Sequence, residues 1–403
     1  MTLSTTSYPA AAPRNRLLWA ACVMTKALPD RLRAARLAGF AEMSIFPIDL
    51  KRWEAGGRSI GELLTLSKRE GVRFTILDPC TKWVPNWEAP ATMSTDDVAF
   101  TNIEVDDFFR MARALGVNRI NLIETFGLPQ DFGRLVENLR SVCDRALPLG
   151  LRVGVEFMPF SHIAHLETAH ELIEAADRQN LGYVLDTWHY YRGKVNNALL
   201  ATIPTKDIVA LQIADADRVL RGQNLMDDLM HYRRTPGKGE FPLADVLKIV
   251  LRDGHLREAG VEVFSDEYNA MTADDAAQAA SDGLTALFAS NDAHLGDQPA
   301  LTVVNALFRA CWRGDRKAAA ALTVAGSKLN TSLLDRLVRD DWRRCEALVD
   351  RVRYEGSAAI LDGTEVLDAP GDELPQRSHF TARLEPGGSD HLLLTDYRTQ
   401  PLP

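Results

Sequence analysis

Four polar residues stand near the ends of four consecutive apolar runs in the middle of the chain. They are Glu156 in RVGVEF, Asp186 in GYVLD, Gln212 in IVALQ and Glu267 in GVEVFSDE. Each run is typical of a buried parallel strand, and equivalent strands of one sheet end at the same edge. Three carboxylates and one amide brought together there would repel one another without a cation. The pattern therefore predicts a metal-dependent enzyme in which these four residues are the metal ligands.

The donor atoms of this predicted set are all oxygens, which favours particular metals. Carboxylate and amide oxygens suit Mg²⁺ or Mn²⁺ best, and Co²⁺ or Zn²⁺ can also bind such a set. A set with only three carboxylates leaves coordination positions for substrate oxygens, as a Lewis-acid catalyst requires. The expected cofactor is therefore a divalent metal ion, with Mg²⁺ or Mn²⁺ ahead of Co²⁺ and Zn²⁺.

Such a site predicts proton transfer next to a carbonyl group. A metal on a carbonyl and its neighbouring hydroxyl acidifies the α-proton by stabilising the enediolate, and a carboxylate can then remove that proton. Glu156 and Glu267, on opposite sides of the expected site, are the predicted acid/base pair. The leading prediction is an isomerase or epimerase of a ketose, sugar phosphate or cyclitol ketone. A metal-dependent dehydratase is the alternative, and a barrel that only binds a partner is a more distant one.

Eight short apolar runs alternate with amphipathic helical patterns, and this alternation must position the four polar residues. The runs are LLWAACVM, EMSIFPI, RFTILD, RINLIE, LRVGVEFM, GYVLDTW, IVALQIAD and VEVFSDEY. Eight such units in about 250 residues are typical of a (β/α)8 TIM barrel, whose active sites lie at the carboxyl ends of the strands. An open doubly wound sheet would usually carry a glycine-rich turn after its first strand, and CVMTKALPD has none.

The polar stretch SNDAHLGDQPA separates the barrel from a region of different pattern. The predicted division is a flexible leader (1–15), the barrel (16–290), a linker (291–299) and a small α+β domain (300–403). In the last region two helical patterns, 301–323 and 332–352, precede the β-type runs VRYEGSAAILDG, SHFTARLEP and HLLLTDYRT. Its segment VVNALFRACWRGDRKAAAAL resembles the first helix and turn of the nuclear-transport-factor-2-like cone fold.

Composition limits the classes of partner. The formal charge of -9 argues against nucleic-acid binding, which needs a basic surface. No run approaches the roughly 18 apolar residues of a membrane span, and the N-terminus has no signal-peptide core. The five cysteines form no CxxC pair, as is typical of reduced cytosolic thiols. The prediction is a cytoplasmic protein with a small-molecule substrate and neither nucleic acid nor membrane as partner, and it leaves a homodimer or a homotetramer open.

The segments VGVEFMPF, VLDTWHYYRGK, LQIADADR, RTPGKGEFP and VFSDEY resemble the xylose isomerase-like barrels. That superfamily includes sugar phosphate isomerases and epimerases, ketose 3-epimerases, inosose and dehydroshikimate dehydratases, and endonuclease IV. The resemblance spans roughly residues 15–290. It implies a metal held by a Glu, an Asp, a His or Gln, and a final Glu. In this chain those positions map onto Glu156, Asp186, Gln212 and Glu267.

The resemblance also implies two substrate-binding residues. His189, in DTWH, stands where the family has a substrate-contacting histidine, and Arg218, in QIADADR, stands where epimerases have an arginine for a substrate hydroxyl or phosphate. Gln212 is a departure, because many sugar epimerases have His at this position. Its neutral oxygen shifts the expected metal from Zn²⁺ towards Mg²⁺ or Mn²⁺. A glutamine also fits the dehydratase branches, so the reaction stays open between the two classes.

A basic loop near the expected site is a further candidate. The segment HYRRTPGKGEF carries Arg233, Arg234 and Lys238. These cations could receive a phosphate or carboxylate group of a substrate, with the glycines letting backbone amides approach the anion. A solvated basic loop with no ligand is an equal alternative.

Overall fold

The computed structural model describes residues 16–256, 258–291, 299–324, 328–387 and 392–402. Within them, eight parallel strands close into a barrel in which each strand pairs with the next and the eighth pairs with the first. The strands are β1 (Arg16–Leu18), β2 (Glu42–Ile45), β3 (Arg73–Cys80), β4 (Arg119–Leu122), β5 (Arg152–Glu156), β6 (Leu181–Asp186), β7 (Ile208–Ile213) and β8 (Ala259–Val261). The predicted (β/α)8 barrel is confirmed. The predicted leader and most of the predicted linker (292–298) lie outside the described residues.

Helices cover the outside of the barrel. They are α1 (Leu28–Leu37), α2 (Pro47–Ala55), α3 (Ile60–Glu70), α4 (Thr95–Thr101), α5 (Val105–Leu115), α6 (Phe132–Ala146), α7 (Leu166–Ala176), α8 (Thr187–Arg192), α9 (Asn197–Leu200), α10 (Leu225–His231), α11 (Leu243–Val250), α12 (Asp266–Ala270) and α13 (Ala273–Ser290). Helix α5 shows why they form. Its buried Phe108, Met111 and Leu115 recur at helical spacing, and Gly116 ends it in the left-handed region with φ 71°. Among the described helices, none is both long and apolar enough to cross a membrane.

A small apolar layer crosses the inside of the barrel at mid-height. Its members form a cluster separate from the main core: Leu17, Trp19, Ile76, Val184 and Ala210. Gly260 belongs to the same level, because a Cβ atom there would lie 2.3 Å from Trp19 Nε1. Side chains two residues before or after these positions on each strand also point inward. The apolar layer therefore separates two polar regions, one at each end of the barrel.

Residues 299–402 form a second unit in which helices precede strands, as predicted. Its elements are α14 (Pro299–Trp312), α15 (Arg316–Ala320), α16 (Lys328–Leu337), β9 (Arg344–Glu355), β10 (Ala358–Asp368), β11 (Gln376–Pro386) and β12 (Leu392–Pro401). The four strands make one antiparallel sheet in the order β12-β11-β10-β9. The run VRYEGSAAILDG is a hairpin between two strands rather than a single strand, since Gly356 turns the chain with φ 63°. The resemblance to the cone fold stays a prediction.

The second predicted helix of this unit, 332–352, is wrong beyond Leu337, because residues from Arg344 onward form β9. Cys345 and Ala347 pack in the core of the unit, whereas Arg344 and Glu346, which alternate with them, contact the barrel. Both faces of the strand are thus buried at its beginning. A strand buried on both sides does not show the simple apolar alternation that a sequence pattern reveals.

The C-terminal unit packs on the amino ends of the barrel strands. Glu346 accepts a hydrogen bond from Asn118 Nδ2 at 2.8 Å and pairs with Arg73 at 3.3 Å. Arg344 donates to the carbonyl oxygens of Leu149 and Gly150 at 3.1 and 3.0 Å. These barrel residues begin β3 or precede β4 and β5. The unit therefore lies at the end of the barrel opposite to the carboxyl ends of the strands.

Candidate active site

Six polar side chains form a layer at the carboxyl ends of six consecutive strands, and we call them the polar layer. They are Asp78 on β3, Asn121 on β4, Glu156 on β5, Asp186 on β6, Gln212 on β7 and Glu262 directly after β8. Each is 5% exposed or less. Asp186 follows Val184 of the apolar layer by two residues, and the strand period of two therefore turns it to the same inner side. Gln212 follows Ala210 in the same way.

The end of the eighth strand differs from the prediction. Strand β8 stops at Val261, and the backbone N–H of Glu262 still donates to the carbonyl oxygen of Ile213 on β7 at 3.0 Å. The Glu262 side chain is buried, whereas Glu267 lies in α12 and is exposed. The predicted position of Glu267 at the strand end is therefore wrong, because β8 ends at Val261, where the run VEVFSDEY only begins. Glu262, and not Glu267, is the buried acidic residue at the carboxyl end of β8.

A signal for Glu262 was present in the sequence. Glu258, Gly260 and Glu262 alternate at the period of a strand, and Gly260 lies beside Gln212 in the β7–β8 register. Inward-facing positions of β8 therefore include 262 but not 267, which differs from 260 by an odd number of residues.

Asp186 positions His189 through the start of helix α8. As the N-cap residue, Asp186 accepts hydrogen bonds on Oδ1 from the backbone N–H groups of Trp188 and His189, at 2.6 and 3.1 Å. This places His189 Nε2 at 3.3 Å from Glu156 Oε1. On the other side of Glu156, Asn121 Nδ2 donates both to Glu156 Oε2 and to Asp78 Oδ1, the latter at 2.7 Å. Hydrogen bonds thus connect three strands of the polar layer through Asn121, and His189 lies beside the Glu156 carboxylate at their end.

Arg233 is the cation of the polar layer, and it comes from the basic loop after α10. Its Nη1 donates to Asp186 Oδ2 at 2.7 Å and to Glu262 Oε2 at 3.1 Å. The guanidinium carbon lies 5.2 Å from the ring centres of both Trp188 and Phe264. The side chain is 1% exposed. Arg233 therefore pairs with carboxylates of the protein itself. The sequence alone also allowed it to bind a phosphate or carboxylate group of a substrate.

The carboxyl groups outnumber this single cation, and their pKa values show it. Burial, reinforced by the nearby charge of Glu156, raises the pKa of Asp78 to about 8. Burial raises the pKa of Glu262 well above its ordinary value, with Asp186 and Glu156 adding to it against Arg233. Burial alone would also raise the pKa of Asp186, but Arg233 and His189 outweigh it and lower that pKa. The raised pKa values of Asp78 and Glu262 mean that the polar layer binds protons more readily than ordinary carboxylates do. A bound cation would favour the ionised carboxylates instead.

The residues present fit a divalent metal ion. Gln212 Oε1, Asn121 Oδ1 and His189 Nδ1 are buried and have no hydrogen-bond partner in the described part of the chain. Unpaired buried acceptors are rare because each one costs free energy of folding. Ligand atoms of Glu156, Asp186 and His189 lie within 4.8 Å of one another. The structure thus brings the predicted Glu156 and Asp186 together with His189, places Gln212 beside Asp186 in the β6–β7 register, and connects Glu262 to Asp186 through Arg233.

Arg218 has a different surrounding from that expected. Its side chain is exposed, and its backbone N–H donates to Glu240 Oε2 at 2.8 Å. Its carbonyl oxygen accepts a hydrogen bond from Arg192 at 3.1 Å. Arg233, and not Arg218, is the arginine among the buried carboxylates, and the substrate contact of Arg218 stays a prediction.

Comparison with known proteins gives a consistent family. Residues 32–287 match the profile of a family described as xylose isomerase-like TIM barrel. A 3-dehydroshikimate dehydratase of Pseudomonas aeruginosa is 27% identical over 250 residues, which make up 60% of this chain and 37% of that protein. An inosose isomerase of Bacillus subtilis is 30% identical over 147 residues, 36% of this chain and 51% of that protein. The chain therefore spans between a third and about half of these relatives.

Solved structures show the same fold. A structure of the IolI protein with a bound zinc atom superposes with a TM-score of 0.58 at 18% identity, over 69% of this chain and 99% of that one. A fusion of a xylose isomerase-like TIM barrel with a 4-hydroxyphenylpyruvate dioxygenase superposes with a TM-score of 0.57 at 19% identity. That match covers 96% of this chain and 56% of the fusion protein.

Proposed function

The chain belongs to the xylose isomerase-like TIM barrel family, and from this premise we propose that it is a divalent-metal-dependent enzyme that removes water from a cyclic hydroxy ketone. The observation that carries the proposal is the polar layer, with its surplus of buried carboxyl groups and its unpaired buried acceptors. A purely structural layer would pair such groups, whereas a catalytic one leaves them available.

Glu156, Asp186, Gln212 and Glu262 are the proposed metal ligands. An ion held by them would act as a Lewis acid on the ketone oxygen and so make the neighbouring C–H group more acidic. The four oxygen donors favour Mg²⁺ or Mn²⁺. His189 close to Glu156, and the zinc atom in the IolI structure, support Zn²⁺ or Co²⁺ as the alternative.

His189 is the proposed group for proton transfer. In the tautomer that carries its proton on Nε2, which lies 3.3 Å from Glu156 Oε1, the ring has a lone pair on Nδ1, the atom without a partner among the described residues. Nδ1 takes the α-proton of the substrate, the electrons of that C–H bond form the new double bond, and the C–O bond of the β-hydroxyl breaks. The same proton then returns to the departing oxygen. One water leaves, and no other reactant is needed.

The comparisons favour dehydration of a cyclic ketone. The matched dehydratase aligns over 60% of this chain and the matched isomerase over 36%. The compounds in the names of these two relatives, 3-dehydroshikimate and inosose, are ring ketones with hydroxyl groups, so a ring substrate is shared by the two candidates. Isomerisation of an inosose-like ketone is the second candidate, because it begins with the same proton removal and the isomerase is the more identical relative where it aligns.

The test uses the full chain loaded with Mn²⁺ or Mg²⁺. With 3-dehydroshikimate we expect an ultraviolet absorbance of a catechol-type aromatic acid, which EDTA abolishes and added metal restores. His189→Asn should lower the rate by a factor of about 10² to 10⁴ while metal still binds.

Inosose in D₂O separates the two candidates. Deuterium in the recovered cyclitol ketone would support isomerisation instead, provided that 3-dehydroshikimate gives no absorbance of an aromatic product. Metal binding without turnover of either ring ketone would contradict both.

A further inference from the structure

Arg233 is held in the polar layer by more than its ion pairs. Two isolated β-bridges flank it in the chain, Tyr232 with Ser265 and Arg234 with Asp215. Its own backbone N–H donates to the carbonyl oxygen of Phe264 at 3.2 Å. The backbone is thus held by hydrogen bonds on both sides of the residue, and the rings of Trp188 and Phe264 lie close to its guanidinium. Such a side chain is a fixed charge rather than a mobile one.

The contacts of Arg233 connect the two halves of the proposed ligand set. One nitrogen, Nη1, reaches both Asp186 on β6 and Glu262 after β8, and Nη2 lies 3.5 Å from His189 Nε2. Asp186 and Glu262 follow strands that lie on either side of β7, which carries Gln212. The guanidinium therefore lies beside the same carboxylates that would contact a metal, at the distance of a direct hydrogen bond.

We propose that Arg233 determines the charge of the cation that this site accepts. The three proposed ligand carboxylates, of Glu156, Asp186 and Glu262, together carry three negative charges when ionised. The charge of Arg233 offsets one of them, and a divalent ion offsets the remaining two. Asp78, the fourth carboxyl group of the polar layer, is the same in the wild type and in the variants compared below. Without the arginine the same ligands would balance a trivalent ion. This inference rests on the proposed metal site.

An arginine suits this role better than a lysine for a geometric reason. The guanidinium lies within cation–π distance of Trp188 and Phe264 while its Nη1 reaches two carboxylates. A lysine would retain the charge and lose this geometry. The pair of substitutions Arg233→Lys and Arg233→Gln therefore separates charge from shape.

The experiment measures Mn²⁺ binding by calorimetry and Tb³⁺ binding by luminescence for the wild-type chain, Arg233→Lys and Arg233→Gln. Because a positive charge so close to the ligands repels any cation, Arg233→Gln should bind Mn²⁺ about tenfold more tightly or better. Its affinity for Tb³⁺ should rise by a still larger factor, so that the Tb³⁺/Mn²⁺ preference increases by about tenfold. Arg233→Lys should stay within about threefold of the wild type in that preference.

The outcomes separate this inference from the proposed function. If the wild-type chain binds no divalent ion, the proposed metal site is wrong. If it binds Mn²⁺ but the Tb³⁺/Mn²⁺ preference is the same in Arg233→Gln, only the charge role of Arg233 is overturned. Should Arg233→Gln fail to fold, Glu262→Gln is compared with the double variant Arg233→Gln/Glu262→Gln. An unchanged preference between these two would overturn the inference as well.

Discussion

The two ends of the barrel interior both bury charged side chains, but with different ratios of carboxylates to arginines. At the carboxyl ends the carboxylates share a single arginine: Asp78, Glu156, Asp186 and Glu262 with Arg233. At the amino ends, direct ion pairs join three carboxylates and three arginines, Glu42, Glu258 and Glu346 with Arg73, Arg119 and Arg344, and Arg309 lies near Glu42 and Glu258. A balanced network satisfies its own hydrogen bonds, whereas a surplus of acid leaves a place for a cation.

The balanced network also explains what the C-terminal unit does for the barrel. Arg73 on β3 lies 3.4 Å from Glu42 and 3.3 Å from Glu346, and so connects the barrel to β9. Burial alone would raise the pKa of Glu346, but Arg344 and Arg73 outweigh it and lower that pKa. The unit therefore supplies a charge that pairs with arginines at the amino end, and it lies away from the polar layer.

The largest expected effect compares two glutamates near the carboxyl end. Glu262→Gln should lower turnover by about 10²-fold or more and weaken metal binding, because it removes a charged ligand from the buried layer. Glu267→Gln is the matched control, since that side chain is exposed on α12. Turnover and Mn²⁺ affinity should both stay near those of the wild type. The reverse order of the two variants would restore Glu267 as the ligand and remove Glu262.

The second prediction concerns the ion-pair network at the amino ends of the strands. Glu346→Gln leaves Arg344 and Arg73 without their shared carboxylate, and loss of one partner of a buried pair costs about 3–5 kcal/mol. Urea denaturation followed by tryptophan fluorescence measures it, and Mn²⁺ affinity should not change. Asp396→Asn is the control, because it removes one partner of the exposed pair with Arg398. Its free energy of unfolding should fall by less than about 1 kcal/mol. Equal losses in the two variants would mean that the network does not stabilise the fold.

A smaller effect tests the close approach between the two units. A Cβ atom at Gly116 would lie 2.2 Å from the carbonyl oxygen of Arg343, and its φ is 71°. Gly116→Ala should therefore cost about 2–4 kcal/mol, from left-handed strain plus displacement of the unit. Gly356→Ala shares a positive φ, of 63°, but has no atom within 4 Å, so about 1 kcal/mol is expected. Thermal unfolding distinguishes them, and similar losses would argue against tight docking at this point.

The smallest effect follows from the protons of the acid-rich end. The pKa of Asp78 is raised from 3.8 to about 8, so its protonated form stabilises the metal-free protein at low pH. That stabilisation is complete below about pH 4 and is lost as the pH rises through about 8. With EDTA present, the unfolding free energy should fall by an amount on the order of 1 kcal/mol more between pH 6 and 9 than in Asp78→Asn. If the unfolding free energies of the wild type and Asp78→Asn changed equally with pH, the raised pKa of Asp78 would be contradicted.

Much of the fold was predictable because strand periodicity is a local property. Apolar runs alternating with helices identify the barrel, and the last polar residue of each run identifies Glu156, Asp186 and Gln212. The prediction for β8 failed because the run VEVFSDEY contains three acidic residues, and the choice among them depends on the register of β8 with β7. The prediction for 344–352 failed for a related reason, as β9 is buried against two different partners.

The sequence by itself determined the barrel, its order of strands and three of the polar side chains at its mouth. Only the tertiary structure decided that Glu262 and not Glu267 joins them, and that an arginine from a distant loop lies between their carboxylates. It also decided that the C-terminal unit covers the amino end of the barrel. The physical reason is the same in each case. Periodicity is set within a few residues of chain, whereas charge balance and docking depend on groups that only folding brings together.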